Sequence, residues 1–296
     1  MSAAIREALA EIGGQLGRDL SAASARPVGG GCINAAWRLS CGQGDVFLKT
    51  NEPGSLPMFE AEAEGLGELE KAGGIRVPEV LGCGVSGQIA WLALEYVETG
   101  RPGDETERQL GAGLARQHTC LARHFGWHRD NTIGSTPQPN PASDSWPAFF
   151  SRYRLGFQLD LARDQGWPAR MIDAGRRLQQ TVGALFADGE PEPALLHGDL
   201  WGGNWAADKD GAPFIFDPAV YYGHREADLA MTRLFGGFGP DFYAAYEERW
   251  PTDPGAPVRT ELYNLYHVLN HLNLFGAGYL RRAEQMIGSL LAEVGP

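Results

Sequence analysis

The segment Leu196-His197-Gly198-Asp199-Leu200-Trp201-Gly202-Gly203-Asn204 sets a histidine, an aspartate and an asparagine at the spacing H-x-D-x-x-x-x-N. At that spacing, the spacing of a kinase catalytic loop, an aspartate can accept the proton of an attacking hydroxyl while the asparagine holds magnesium. Thirteen residues beyond Asn204 stands Asp217, at the end of the apolar run Phe214-Ile215-Phe216, and Asp208–Gly211 between them has the composition of a hairpin turn. A hairpin folded there returns Asp217 beside Asn204. Two oxygen ligands then converge on one point, an arrangement suited to Mg²⁺, which keeps water and phosphate oxygens as its other ligands. Singly, each feature has an ordinary explanation: His-Gly-Asp is common, and an aspartate at a strand end can simply cap a turn. Jointly they predict phosphoryl transfer, with Asp199 as base and Asn204 and Asp217 on the metal.

Such chemistry needs a lysine for the nucleotide phosphates and a helix glutamate to orient it. Lys49 ends the apolar strand expected over Asp45–Lys49, and a helix is expected from about Pro57 to Lys71, closed by Gly73-Gly74. Glu62, Leu66 and Leu69 fall at i, i+4, i+7, so Glu62 shares the buried stripe. A carboxylate there is costly unless it meets a cation, and Lys49 is the expected partner. Glu60 and Glu64 face elsewhere and are expected in solvent. Gly29, Gly30, Gly31, Cys32, Ile33 and Asn34 lie between two expected strands. They are not G-x-G-x-x-G, and read either as a loop over phosphates or as a tight hairpin needing positive φ. Glu95, Tyr96 and Val97 are the expected hinge, where adenine would pair with backbone groups. Asp228 opens a helix; it is either an N-terminal acid favoured by the dipole or, as in kinase-like folds, a tie for the backbone around His197, the role preferred here.

The elements that must hold these residues fall in two parts. Residues 1–20 read as an amphipathic helix, Pro27–Asn34 and Ala36–Leu39 as two strands joined by a glycine turn, and Val80–Gly84 and Ile89–Tyr96 as two more strands. After a linker at Glu98–Gly103 the pattern turns helical over Thr106–His124, Trp146–Asp164 and Pro168–Ala187, with three or more helices from His224 onward. A short β island spans Leu195–Pro218, and Asn131–Ser145, rich in Pro, Asn and Ser, reads as a long ordered loop. The fold class expected is α+β and bilobal, with a nucleotide-binding lobe over 1–97 and a catalytic, substrate-binding lobe over 98–296. At 296 residues, 43% hydrophobic and 21% charged, the composition is that of a globular chain with a sizeable core. Its 25 Lys and Arg against 37 Asp and Glu leave a net charge of −12, which argues against nucleic acid or an anionic membrane as partner. No run approaches the roughly 18 apolar residues of a membrane span, and the first residues lack a signal-type apolar core. The four cysteines, Cys32, Cys41, Cys83 and Cys120, form no C-x-x-C pair and fit neither a zinc site nor a disulfide framework, so a reducing cytoplasm is expected.

The chain resembles the fructosamine kinases (ketosamine 3-kinases), a branch of the aminoglycoside-phosphotransferase-like kinases. Matching segments are Gly29-Gly30-Gly31-Cys32-Ile33, Met58-Phe59-Glu60-Ala61-Glu62, Phe125-Gly126-Trp127 with Asp130–Gly134, and Trp146–Phe150. The match continues through the His197–Asn204 loop with Trp205, Phe216-Asp217-Pro218-Ala219, Tyr222–Glu226 and Leu269–Gly276. H-G-D-L-W-G-G-N-W and D-P-A-x-Y-Y-G-H-x-E are specific to this family. The resemblance implies a protein-kinase-like fold and ATP- and Mg²⁺-dependent phosphorylation of a sugar hydroxyl on ketosamines such as fructosamines or ribulosamines, in the service of deglycation. It implies Asp199 as base, Lys49 on phosphate, and Trp201, His224, Glu226 and His271 as substrate-pocket candidates. Trp201 could equally be a core tryptophan, and His267 and His271, one helical turn apart, read more simply as satisfied core histidines. Relatives with cysteine in the glycine loop can form redox-sensitive disulfides between chains, which bears on Cys32; a monomer or weak homodimer is expected. Rival readings are a kinase for an aminoglycoside or choline-like amine, a catalytically inactive nucleotide-binding scaffold, and a metal-dependent hydrolase built on His197 and Asp199.

Overall fold

A computed structural model describes residues 3–29, 33–187 and 189–295, with the side chains of residues 3–6 excepted. Gly30, Gly31 and Cys32 of the expected glycine loop lie outside the described residues. The chain opens with α1 (Ala3–Leu16), followed by β1 (Ser24–Val28), β2 (Ala35–Ser40) and β3 (Val46–Asn51). Next come α2 (Leu56–Ala72), β4 (Val80–Ser86) and β5 (Ile89–Glu95). The five strands form one antiparallel sheet in the order β1-β2-β3-β5-β4. One sheet face packs under α1 through Leu9, Ile12, Leu39, Leu48 and Trp91. The other packs on α2, whose Phe59, Leu66 and Leu69 join Leu92 and Leu94 in the core that continues into the helical part. α2 ends where expected: Gly73 takes φ 65°, a left-handed cap that glycine adopts without steric cost.

The helical part begins with α3 (Thr106–His118) and then a small hairpin, β6 (Asn131–Ile133) and β7 (Thr136–Gln138). α4 (Trp146–Phe149) runs through a π-helical turn, Phe150–Gly156, into α5 (Phe157–Asp164), and α6 (Ala169–Thr181) follows. Four short strands come next: β8 (Ala194–Leu196), β9 (Trp205–Ala207), β10 (Pro213–Ile215) and β11 (Tyr221–Gly223). The chain closes with α7 (Glu226–Leu234), α8 (Pro240–Arg249), α9 (Ala256–Phe275) and α10 (Leu280–Val294). β9 pairs with β10 and β8 with β11, so the expected β island is two small ladders.

Three sequence expectations are corrected. The helix expected over Thr106–His124 stops at His118, because Leu121 leaves it to bridge Ala194. The helix expected over Pro168–Ala187 tightens after Thr181 into a 3₁₀ turn, Val182–Phe186. The loop expected over Asn131–Ser145 contains the β6–β7 hairpin, turned at Gly134 with φ 63°. Its signal, β-branched residues around Gly134-Ser135, is a two-residue hairpin connection that the surrounding Pro and Asn content masks. Among the described residues no helix is long and apolar enough to cross a membrane.

Candidate active site

Lys49 lies inside β3, paired across the sheet with Ala36 of β2 and Leu92 of β5, and is 6% exposed. Its side chain leaves the sheet on the α2 side, where Nζ donates to Glu62 Oε1 at 2.6 Å and to Asp217 Oδ1 at 2.5 Å. Burial alone would push the ammonium down, but the charges of Asp217 and Glu62 outweigh it and hold Lys49 above its ordinary range. Burial also raises Glu62, with the Lys49 charge opposing. Glu62 reaches the lysine because α2 sits directly on the chain after Asp217. A β-carbon at Gly65 would stand 3.0 Å from Val220 Cγ2 and 3.6 Å from Pro218 Cγ, a close approach that glycine permits.

The loop from His197 to Asn204 hangs between β8 and β9. Asp228, 1% exposed near the start of α7, accepts from the backbone N–H of His197 at 2.7 Å and of Gly198 at 2.9 Å. Burial would raise Asp228, yet His118, His197 and the Gly198 N–H bring it below the usual carboxylate range. Gly198 has φ 83°, and a β-carbon there would meet the Ala219 carbonyl oxygen at 2.1 Å, so the turn requires glycine. His197 uses both ring nitrogens on backbone: Nε2 donates to the Phe216 carbonyl at 3.0 Å and Nδ1 accepts from Asp199 N–H at 3.3 Å. Burial lowers its pKa, so it is a neutral imidazole of fixed tautomer, with no nitrogen left for a metal.

Asn204 follows on the hairpin, 5% exposed, and its Nδ2 donates to the Asp199 carbonyl at 2.8 Å and to Asp199 Oδ2 at 3.2 Å. Both contacts use the amide nitrogen, which leaves Oδ1 for a cation. β9 and β10 return the chain so that Phe216 N–H donates to the Asn204 carbonyl at 3.0 Å. Asp217 then stands beside Asn204 at φ 57°, a left-handed conformation uncommon outside glycine and frequent at functional sites. Its side chain stays 43% exposed. The donor set is hard oxygen from an amide and a carboxylate, which fits Mg²⁺ completed by phosphate and water oxygens. Among the described residues no group of three or more His, Cys, Asp or Glu could hold a metal on side chains alone. Asp199 is half-buried, and burial first, then the Asp217 charge, raise its pKa well above the ordinary value.

The structure thus gathers Lys49, Glu62, Asp199, Asn204 and Asp217, from β3, α2, the catalytic loop and the end of the β9–β10 hairpin. Asn34 and the Ile33 carbonyl take Asn51 Nδ2, at 2.7 and 3.3 Å, and Gly29 precedes them after β1. Glu95 ends β5 with its carboxylate on Arg76 at 2.5 Å, Tyr96 lies under the Arg38 guanidinium at 4.3 Å, and Val97 begins the link to the helical part. Trp201 is 37% exposed, which settles it outside the core, and its ring lies over Gly203. His271 is half-buried beside Phe235, ring centroids 4.9 Å apart.

Three expectations are corrected here. Glu226 is 2% exposed with both oxygens on Arg259, at 2.7 and 2.8 Å, a buried ion pair without a free oxygen for substrate. His224, 8% exposed, bonds Tyr263 OH through Nδ1 at 2.7 Å and belongs to the same buried network. His267 is not a satisfied core histidine, since its buried Nδ1 has no partner; burial, then His271, push it down to about 3. Glu60 and Glu64 are exposed as expected, and there they meet Arg129 at 3.4 and 2.8 Å, with Glu64 also meeting His128 at 3.2 Å. Sequence reasoning missed Arg129 because an exposed Arg-Glu contact 65 residues apart leaves no periodic signal. It missed Arg154 too, fully buried on the π-helical turn with its guanidinium 4.1 Å over Tyr221. A π turn adds a residue to the helix, and helical periodicity does not reveal it.

Comparison with known proteins adds identity to this geometry. The family model described as fructosamine kinase matches residues 1–293. A Synechocystis protein named a probable ketoamine kinase is 46% identical over 271 residues, covering 90% of each chain. A solved structure from Haemophilus somnus, provisionally named a fructosamine-3-kinase, superposes with TM-score 0.86 at 30% identity over 97% of each chain. Aminoglycoside phosphotransferase APH(4)-Ia, solved with ADP and hygromycin B, shares the fold alone, with TM-score 0.63 at 17% identity over 97% of each chain. The kinase-like site described above is therefore carried on a chain that belongs to the fructosamine kinase family.

Proposed function

We propose that the protein is an ATP-dependent kinase that phosphorylates a sugar hydroxyl of ketosamines, as a step in deglycation. The observation that carries this reading is Lys49 Nζ, held between Glu62 and Asp217, residues 155 positions apart in sequence (217 − 62), at 2.6 and 2.5 Å. ATP lies between the sheet part, residues 1–97, and the helical part, residues 98–296, with its phosphates at Lys49. The described residues flanking the glycine run, Gly29, Ile33 and Asn34, stand on the phosphate side, and Glu95, Tyr96 and Val97 form the hinge beside adenine. Asn204 Oδ1 and the Asp217 carboxylate hold Mg²⁺, which when bound neutralises charge on the transferring phosphoryl group.

Asp199 accepts the proton of the acceptor hydroxyl as that oxygen bonds the γ-phosphorus and the bond to the departing ADP oxygen breaks. His197 and Asp228 fix the loop backbone so that the Asp199 carboxylate meets the hydroxyl without reorganising, which is where positioning lowers the barrier. Trp201 offers its ring face to the sugar or to the adjacent ammonium. The complete set of five residues counts against an inactive scaffold. The occupied nitrogens of His197 count against a hydrolase metal site, and the whole-chain family match counts against an aminoglycoside or choline-like acceptor. A reducing cytoplasm is the compartment this reading assigns. Asp199→Ala is expected to lower turnover by about 10²–10⁴-fold while nucleotide affinity persists. An ATP-consumption screen of wild type and variant across ketosamines, aminoglycosides and choline decides it; near-normal ketosamine phosphorylation by the variant refutes the assignment.

A further inference from the structure

Among the described residues the exposed tryptophan and phenylalanines are Trp201, Phe235 and Phe275, at 37%, 38% and 52%. They are not scattered. Trp201 meets Phe235 edge-on with centroids 6.2 Å apart, Phe235 meets His271 at 4.9 Å, and His271 meets Phe275 at 5.3 Å. Tyr279 backs His271 at 5.1 Å. The line of rings therefore starts two residues after the base Asp199 and runs outward along the end of α9.

It is also tied to the catalytic loop. Phe235 follows α7, the helix whose Asp228 holds the loop backbone. A β-carbon on Gly202 would stand 3.1 Å from Gly237 Cα, and Trp205 Nε1 donates to the Gly237 carbonyl at 3.3 Å. A molecule lying on the rings is thus registered against Asp199. Contiguous exposed apolar surface rimmed by polar residues marks a binding face, and here it adjoins the reacting end of the site.

Resting on the ketosamine reading, we infer that Phe235, His271 and Phe275 form a subsite for an apolar substituent on the acceptor's amine nitrogen. The sugar stands over Trp201 with its hydroxyl at Asp199, and the nitrogen's substituent runs along the rings. Charge favours this occupant over a polycation: burial, then the Arg282 guanidinium, hold His271 below its ordinary range, so the line carries a neutral imidazole beside a cation.

The test compares kcat/KM of the full chain for N-methyl and N-benzyl fructosamine at saturating ATP. Wild type is expected to prefer the N-benzyl substrate by about three- to tenfold, the range for one added aromatic contact. Phe235→Ala and Phe275→Ser should each erase that preference by raising KM for the N-benzyl substrate, leaving kcat and KM for ATP in place. Phe275 is more than half exposed, so its substitution keeps the test independent of folding. Equal use of the two acceptors by wild type, a preference surviving both substitutions, or an equal loss on both acceptors overturns the subsite alone. Turnover of neither acceptor by wild type overturns the ketosamine reading and the subsite with it.

Discussion

Asp199 works against its own surroundings: burial, the Asp217 charge and the Asp228 charge all raise its pKa, and the Asn204 amide only partly offsets them. A general base must be unprotonated, so kcat/KM is expected to fall with decreasing pH through an acid limb above the ordinary carboxylate value of about 4. A pH–rate profile that stays flat down to that value contradicts Asp199 as the base. Lys49 is better provided for, because it has two carboxylates. Glu62→Gln leaves Asp217 in place and keeps an amide oxygen for the ammonium, so the expected loss is that of one buried charged partner, about 1–3 kcal/mol of stability. KM for ATP should rise with it, since the ammonium is then charge-paired on one side only; urea unfolding and nucleotide titration measure the two effects.

At the scale of elements, α2 carries the site's alignment. Its inner face gives Glu62 to Lys49, Gly65 lets it touch Pro218 and Val220, and its outer face gives Glu60 and Glu64 to Arg129 from the helical part. Arg129 also donates to the Pro57 carbonyl at 3.4 Å, so the first turns of α2 are braced across the two parts of the molecule. Exposed pairs of this kind contribute about 0.2–1 kcal/mol each, so Arg129→Ala should raise KM for ATP about two- to fivefold. The effect should disappear in a Glu62→Gln background, because the brace acts through that glutamate; additive effects in the double variant would show that it does not. The turn between β8 and the catalytic loop is less forgiving. Gly198→Ala must take a left-handed conformation and move the Ala219 carbonyl, for a cost of at least about 1–3 kcal/mol, readable as a lower unfolding midpoint.

For the whole molecule, the buried neutral histidines predict sensitivity to acid. Burial lowers His118, His197, His224 and His267, with His267 brought from an ordinary 6.5 to about 3. A histidine lowered by folding binds its proton more readily in the unfolded chain, so stability is intact above about pH 6.5 and declines as pH falls below it. At about 1.4 kcal/mol per pH unit, His267 alone accounts for about 2 kcal/mol by pH 5. Asp199, raised by folding, acts in the opposite direction, so the histidine share is isolated by comparing urea midpoints of wild type and His267→Leu from pH 8 to pH 5. The variant should lose less stability over that interval; parallel curves would show that His267 does not titrate in this way.

The gathering of the site residues was legible in sequence where it depends on short spacing or on a regular period. H-x-D-x-x-x-x-N, the hairpin that returns Asp217 to Asn204, and the stripe that puts Glu62 on the buried face of α2 are all local geometry, set by backbone repeats of a few residues. Tertiary structure decided what depends on distant surfaces meeting. It sent His224 and Glu226 inward to Tyr263 and Arg259, brought Arg129 onto α2, and lined Phe235, His271 and Phe275 up beside Trp201. The physical reason is that a side chain's type and phase restrict which way it faces along its own helix or strand. What stands opposite is determined by the packing of elements remote in the chain, and no local pattern encodes it.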